Sequence, residues 1–245
     1  MIEKYLMITG SYPPDICGVG DYTSCFMNAA DKSKWQLYYS KDWRLSSIIK
    51  KIQEINRYHA EAIVMQYPTQ GYGWSLLPLL LCWYYSIFTN KKFIVVLHEF
   101  SQRTLKAKLV TSLFRFANRI IFTTNYEKSF AERCFKFSKK KSSVVKIISN
   151  IEAVEKSDLK QWDEREIDIA FFGHLAPNKG LEDFFKVVQS IFQKRNTVRI
   201  AIIGQIQDDY KNYYNSLLQR YEFTSQCAQF YNKPSAEVSS LLNNT

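Results

Sequence analysis

Long apolar runs and secretory features are scarce in this 245-residue sequence. Its longest apolar stretch, residues 76–88, spans 13 residues, whereas a helix that crosses a bilayer needs about 20. This stretch therefore predicts a buried helix rather than a membrane span. The N-terminus carries an early acid, Glu3, and only a short apolar run, which predicts a first strand and no signal peptide.

Paired cysteines and the common catalytic signatures are also missing. The five cysteines are scattered and odd in number, and no two form a Cys-x-x-Cys pair, so neither a zinc ribbon nor a disulfide framework is indicated. The sequence contains no Gly-x-Ser-x-Gly elbow, which argues against a serine hydrolase with a nucleophile elbow. It also contains no Asp-x-Asp after an apolar strand, which argues against a site that binds a nucleotide through a metal ion. We expect a reducing, cytoplasmic setting.

Basic residues outnumber acidic ones, and the formal net charge is +10. Three explanations remain open: a soluble protein with surplus lysine, a protein that docks on an anionic membrane surface, or a nucleic-acid-binding protein. No RNA- or DNA-binding motif is visible, so we expect no nucleic-acid partner. Apolar residues make up 46% of the chain and aromatic residues 16%, which is enough to build a core.

Short apolar runs typical of strands alternate with helical patterns along most of the chain. Strands are predicted first at 5–9, 62–66, 93–97, 120–123 and 144–148, and later at 167–172, 199–203 and 228–231. Helices are predicted between them at about 20–30, 48–58, 76–88, 105–118, 127–134, 181–192, 210–221 and 236–242. Continuous apolar strands that alternate with helices predict parallel sheets covered on both faces.

A polar segment, residues 152–166, interrupts this alternation and is typical of a domain linker. The predicted fold class is therefore α/β, with two Rossmann-like, doubly wound parallel-sheet domains at residues 1–155 and 156–245. A doubly wound domain usually has five or six strands, and the second domain has three. We expect it to be incomplete, a chain truncated at its C-terminus; the alternative is a naturally small three-stranded unit.

Two glycine-bearing segments each follow a predicted strand and precede a predicted helix. They are residues 12–22 (Tyr-Pro-Pro-Asp-Ile-Cys-Gly-Val-Gly-Asp-Tyr) and 173–180 (Gly-His-Leu-Ala-Pro-Asn-Lys-Gly). Backbone N–H groups and the helix dipole at such a position suit a phosphate group. The first segment is half of a dinucleotide fingerprint, but Thr23 stands where its third glycine belongs, which argues against a nicotinamide cofactor. A simple tight turn is the structural alternative.

Two single residues stand out beside these segments. His98 follows the most apolar strand of the first half, and ligands of open α/β sheets bind beyond the carboxyl ends of strands. Lys179 lies at a helix start, where its charge could stabilise a departing diphosphate. The alternatives are a structural histidine and a solvated surface lysine.

In this order and spacing the motifs resemble the GT-B fold glycosyltransferases of the retaining group 1, or family 4, type. The resemblance covers nearly the whole chain and rests on the first glycine-rich segment, on 97–99 (Leu-His-Glu), 120–127, 148–151 (Ile-Ser-Asn-Ile), 171–180 and 202–204 (Ile-Ile-Gly). One departure is His174, which stands where the family's donor loop usually has an arginine. A neutral histidine cannot offer the bidentate fork of arginine to a phosphate.

The resemblance implies a retaining hexosyltransferase that takes a hexose from a nucleotide sugar, UDP- or GDP-linked, without a metal ion or other cofactor. The acceptor would be a hydroxyl of a glycan or polyprenyl-linked sugar in cell-surface polysaccharide synthesis. The enzyme would be cytoplasmic and peripheral on the inner face of the cell membrane. Within the resemblance His98 is the catalytic residue; the donor diphosphate and cleft residues are Gly18, Val19, Gly20, Gly173, His174, Lys179 and Gly204. The alternative is an inactive, truncated fragment that binds a nucleotide or a protein partner.

Overall fold

The computed structural model describes residues 4–147, 149–195, 197–221 and 227–245. Contacts divide the chain into two compact units, Met1–Ile148 and Ser149–Thr245. The segment predicted as a linker hydrogen-bonds within the second unit, where the Glu152 N–H donates to Ser235 Oγ at 3.1 Å and the Ser239 hydroxyl donates to the Glu152 carbonyl at 2.6 Å. The predicted boundary between residues 155 and 156 therefore lies inside the second unit.

The first unit is built on a six-stranded parallel sheet with strand order β2-β1-β3-β4-β5-β6. Its strands are β1 Tyr5–Thr9, β2 Trp35–Tyr39, β3 Ala62–Tyr67, β4 Lys92–Leu97, β5 Arg119–Phe122 and β6 Ser142–Val144. Its helices are α1 Gly18–Ala29, α2 Ile48–Asn56, α3 Leu77–Phe88, α4 Leu105–Thr111 and α5 Asn125–Phe135. All neighbouring strands run in the same direction, so their carboxyl ends meet at one edge of the sheet.

The central strands and α3 form the core of this unit, because they are apolar on every side. Every residue of β3 is buried, and α3 packs a leucine-rich segment against the sheet, including Leu77, Leu81 and Tyr85. The helix predicted over 76–88 is thus confirmed. Within the described residues, no helix combines the length and the apolar character that a membrane crossing requires.

The second unit has a three-stranded parallel sheet in the order β7-β8-β9. The strands are Ile169–His174, Ile200–Gln205 and Cys227–Tyr231; the helices are α6 Leu181–Phe192, α7 Lys211–Tyr221 and α8 Ser235–Asn243. In α6 the buried residues Leu181, Phe185 and Val188 recur at helical spacing, so one face of this helix covers the sheet.

Three local expectations differ from the structure. Strand β2 was not predicted. The helix predicted over 105–118 ends at Thr111 and continues as a 3₁₀ turn, Ser112–Phe116; the Ser112 hydroxyl donates to the Leu109 carbonyl at 2.7 Å, a local bond typical of serine near a helix end. The strand predicted over 144–148 is Ser142–Val144, and residue 148 lies outside the described residues.

A buried lysine joins the edge strand β2 to α2. Lys51 is 3% exposed, and its Nζ donates to Tyr38 Oη at 2.9 Å, to Ser40 Oγ at 2.7 Å and to Glu54 Oε2 at 3.2 Å. The Tyr38 hydroxyl also donates to Glu54. An ammonium group has three donors, so Lys51 is fully satisfied. The Tyr38 hydroxyl and the Lys51 ammonium together hold the pKa of Glu54 below its usual value.

We predict that Lys51→Ala lowers the free energy of unfolding of the first unit by about 3 kcal/mol, because it leaves a partly buried carboxylate without its cation. Lys50→Ala is the matched control on the same helix, since Lys50 is exposed and reaches Glu54 only at 3.9 Å; its cost should stay below about 0.5 kcal/mol. Urea unfolding of both variants measures the difference. Equal losses would contradict a structural role for Lys51.

Candidate functional site

The first glycine-bearing segment forms the start of α1. Gly18, Val19 and Gly20 occupy the first turn of this helix, rather than the loop that the sequence predicted, because Cys17 is the extended residue at which the helix begins. Gly20 has a packing reason to be glycine: a Cβ there would lie 3.0 Å from the Ser11 carbonyl oxygen. The absence of a side chain thus lets α1 approach the backbone that follows β1.

His98 follows β4 at the carboxyl edge of the sheet and is 5% exposed. Its backbone N–H donates to the Tyr67 carbonyl at 2.8 Å, and its Nε2 lies 2.8 Å from Gln66 Oε1. Because an amide oxygen only accepts, this contact assigns the ring proton to Nε2 and leaves Nδ1 as the acceptor. Tyr22 of α1 packs edge-on against the imidazole at a centroid distance of 5.8 Å.

Burial keeps this histidine neutral. Desolvation lowers the pKa of His98 from 6.5 to about 4, since the charged form loses its hydration in the protein interior. At neutral pH the ring can therefore accept a hydrogen bond at Nδ1 and donate one at Nε2, but it carries no positive charge. This chemistry suits the positioning of a polar ligand group rather than its protonation.

Two neighbours of His98 received no role in the sequence analysis. Gln66 is the single side-chain amide in the wholly buried strand β3, and this isolated amide in an apolar run was the available signal. Tyr22 lies within the segment 12–22, where nothing in the sequence connects it to residue 98. Both contacts depend on how β3, β4 and α1 pack together.

The loop behind His98 is held by a buried carboxylate. Glu127, 5% exposed, accepts the Ser101 N–H at 2.7 Å and the Ser101 hydroxyl at 2.6 Å. Between His98 and Ser101, Glu99 adopts a left-handed backbone conformation with φ of 50°, which is uncommon for a residue other than glycine. Glu127 thereby fixes the backbone that carries His98, a function that sequence spacing did not reveal.

In the second unit three of the predicted residues meet at the carboxyl edge of the sheet. Gly173 and His174 end β7, and Gly204 is the next-to-last residue of β8; Gly173 is paired in register with Gly204. These are strand-end residues rather than loop residues. A Cβ at Gly204 would lie 2.1 Å from the Gly173 carbonyl oxygen, so the close approach of these backbones requires glycine at position 204.

Lys179 lies in the 3₁₀ turn Pro177–Lys179, immediately before α6. Its side chain is exposed, and within the described part of the chain no hydrogen bond or ion pair engages its Nζ. The acids in the first turn of α6 are already paired: Glu182 with Arg220 at 3.1 Å and Asp183 with Lys186 at 3.7 Å. Lys179 is therefore available to an anion at this edge of the sheet.

The structure places the predicted residues in two groups. His98, Gly18, Val19 and Gly20 belong to the first unit, and Gly173, His174, Lys179 and Gly204 belong to the second. Each group lies at the carboxyl edge of its own sheet or at the helix start that follows, which is where α/β sheets bind ligands. Among residues 4–147, 149–195, 197–221 and 227–245, no cluster of His, Cys, Asp or Glu suits a metal ion.

We predict that His98 makes the stability of the first unit depend on pH. As the pH falls below 6.5, His98 binds a proton in the unfolded chain, whereas in the folded chain it stays neutral down to about pH 4. The free energy of unfolding therefore decreases between these two pH values. Between pH 7 and pH 5 the free energy of unfolding should fall by about 2 kcal/mol more in the wild type than in His98→Gln. Urea unfolding followed by tryptophan fluorescence measures this, and identical losses would contradict a buried neutral histidine.

Comparison of the sequence with protein-family models and with curated proteins gave no match. The structure, however, is similar to solved structures. The catalytic domain of starch synthase IV from Arabidopsis thaliana, bound to ADP and acarbose, matches with a TM-score of 0.61 at 8% identity, over 100% of this chain and 77% of that one. The lipopolysaccharide outer core galactosyltransferase WaaB matches with a TM-score of 0.57 at 12% identity, over 98% and 72%.

S. aureus TarM, solved with Fondaparinux, α-GlcNAc-glycerol and UDP, matches with a TM-score of 0.50 at 10% identity over 70% of this chain. This chain spans only 33% of the length of TarM. At sequence identities this low, structural similarity establishes the fold and leaves the reaction open. The expectation of two Rossmann-like parallel-sheet domains is confirmed, and the chain has the GT-B fold of these glycosyltransferases.

Proposed function

We propose that this protein transfers a hexose from a UDP- or GDP-linked donor to an acceptor hydroxyl with retention of the anomeric configuration. The observation that carries the proposal is the carboxyl edge of the second sheet. There Gly173 and Gly204 are paired in register at the strand ends, and Lys179, in the exposed turn before α6, has no ion-pair partner in the described residues. A lysine and a helix start at a strand end suit a diphosphate.

In the proposed reaction, the bond between the anomeric carbon and the donor phosphate breaks, and the acceptor oxygen forms a new bond to the same carbon. The electron pair of the broken bond leaves with the nucleoside diphosphate, on which negative charge develops, and the proton of the acceptor hydroxyl passes to that diphosphate. Lys179 stabilises that charge in the transition state, so that no metal ion or other cofactor is invoked. His98, neutral and fixed by Gln66, accepts a hydroxyl of the transferred sugar and orients it.

The acceptor in this proposal is a glycan or a polyprenyl-linked sugar of a cell-surface polysaccharide. Support comes from the sugar polymers named for two of the similar structures, a starch synthase and a lipopolysaccharide galactosyltransferase. The second candidate function is an inactive chain that binds a nucleotide or a protein partner. It is favoured by His174, since arginine is usual at this position in the family that the sequence resembles.

We predict that the purified chain hydrolyses one member of a panel of UDP- and GDP-hexoses and that Lys179→Ala lowers this turnover by about a hundredfold. The matched control is Lys194→Ala, which removes an exposed lysine elsewhere in the second unit and should retain full turnover. Release of nucleoside diphosphate and the anomeric form of the sugar are measured. Turnover unaffected by Lys179→Ala would exclude the diphosphate role; nucleotide binding without any turnover would favour the inactive chain.

We further propose that the protein is cytoplasmic and docks on the inner face of the cell membrane. The helix α4 and the turn after it expose Leu105 (67%), Leu109 (55%) and Phe116 (46%) beside the exposed cations Lys106 and Arg115; we call these five residues the α4 surface. Residues 100–126 contain five basic residues and no acidic one. An apolar face bordered by cations suits a bilayer that carries anionic lipid.

The membrane proposal predicts binding to phosphatidylglycerol vesicles and weak binding to phosphatidylcholine vesicles at low salt. Lys106→Glu/Arg115→Glu should weaken the first interaction at least tenfold, since each cation near the surface contributes about 1 kcal/mol. Lys156→Glu/Lys194→Glu makes the same change in net charge at exposed positions of the second unit and should weaken it much less. Vesicle co-sedimentation measures both, and equal effects of the two double variants would refute docking through the α4 surface.

A further inference from the structure

A cavity of about 520 Å³ opens in the first unit between the end of β2 and the helix α2. Its walls include Tyr38, Lys50, Lys51, Glu54, Arg57 and Tyr58. Pockets that bind small molecules usually enclose about 300–1,000 Å³, so this cavity can accommodate one or two sugar units. None of the residues that the sequence singled out for the donor or for catalysis lines it.

The charges in the walls leave a positive surplus. Lys51 and Glu54 neutralise each other inside the buried cluster, and Asp42 is paired with Arg44 at 2.9 Å. Two cations remain, Lys50 on α2 and Arg57 immediately after its C-terminal end. Lys50 reaches Glu54 only at 3.9 Å, and the Arg57 guanidinium has no hydrogen-bond or ion-pair partner within the described residues of this unit. The cavity therefore favours a ligand with one or two negative charges.

The remaining walls suit a ligand rich in hydroxyl groups. The Tyr38 and Tyr58 rings meet edge to face at a centroid distance of 6.0 Å, and they offer an apolar surface to a sugar ring. The Ser40 hydroxyl also lies in the wall, where it accepts from Lys51. Arginine presents a planar fork that matches a carboxylate or a phosphate, so an anionic group would be held by Arg57 and the sugar ring by the tyrosines.

The cavity is connected to the first glycine-bearing segment. Tyr39, another residue of its wall, donates from its hydroxyl to Asp15 at 2.5 Å, and Asp15 precedes the start of α1. Tyr39 is also paired in register with Thr9 at the end of β1. A ligand in the cavity would therefore lie next to the segment that carries the predicted residues Gly18, Val19 and Gly20.

From the surplus cations, the tyrosine wall and this connection we infer that the cavity binds an anionic sugar, a hexose unit that bears a carboxylate or a phosphate group. Arg57 and Lys50 bind the anionic group, and Tyr38 and Tyr58 contact the ring. The assignment of this sugar to the acceptor, as a unit that flanks the reacting hydroxyl, rests on the proposed function.

The inference is tested by ligand-observed NMR titration of the full chain with glucuronate, glucose 6-phosphate, glucose and inorganic phosphate. We expect at least one of the two anionic sugars to bind at least tenfold more tightly than glucose and than phosphate. The anionic sugar that binds more tightly identifies the group. Arg57→Gln should weaken this binding at least tenfold, and Lys50→Gln should weaken it as well.

The matched control is Arg133→Gln, which removes another arginine of the first unit. Within the described residues its guanidinium bonds to the Ser129 carbonyl of its own helix and to no other group, so the affinity of this variant should stay within twofold of wild type. Absence of binding by both anionic sugars, equal binding by glucose or phosphate, or unchanged binding by Arg57→Gln would overturn the inference. The donor turnover of wild type and Lys179→Ala tests the proposed function separately. If the sugar binds in the cavity but the chain shows no donor turnover, only the proposed function is refuted. If the chain turns over the donor but sugar binding does not depend on Arg57, only the inferred sugar site is refuted.

Discussion

Parallel pairing of neighbouring strands is the constraint on which both groups of candidate residues depend. Because every strand of a sheet runs the same way, the chain emerges from β1, β3 and β4 at one edge of the first sheet and from β7 and β8 at one edge of the second. Residues far apart in sequence are thereby brought together. His98 meets Gln66 and Tyr22 in this way, and Gly173 meets Gly204.

Close backbone contact is the second requirement at these edges. Gly20 allows α1 to approach the chain that leaves β1, and Gly204 allows β8 to approach the carbonyl of Gly173. Glycines that a sequence motif assigns to ligand binding thus also have a packing role in the fold. The two roles are compatible, since a backbone without side chains is open both to a neighbouring strand and to a phosphate.

Most of the fold could be predicted from the sequence because its central elements are continuous and apolar. Every residue of β3 is buried, and α3 buries six of its 12 residues, including Leu77 and Tyr85. Such long apolar runs leave few alternatives. Strand β2 is different: it is a five-residue edge strand with only Tyr38 fully buried. Its position depends on tertiary contacts, such as the stacking of Trp35 on Tyr5 at 4.6 Å, which no local pattern encodes.

The candidate site could be predicted only in part, for the same reason. The strand-end position of His98 follows from the apolar run before it, whereas its partner Gln66 and the support of its loop by Glu127 arise from contacts over 32 and 26 positions of sequence. The cavity beside α2 was not predicted, because β2 forms one of its walls and β2 itself was not predicted.

The saturated cluster around Lys51 has a consequence for how the protein would meet a ligand. All three of its donors are engaged by Tyr38, Ser40 and Glu54, so this wall of the cavity is held in place by the protein's own contacts. Binding to such a preorganised surface loses little side-chain entropy. Recognition there would leave the wall around Lys51 unchanged, and the exposed side chains of Arg57 and Lys50 would be the ones to lose rotamer freedom on binding.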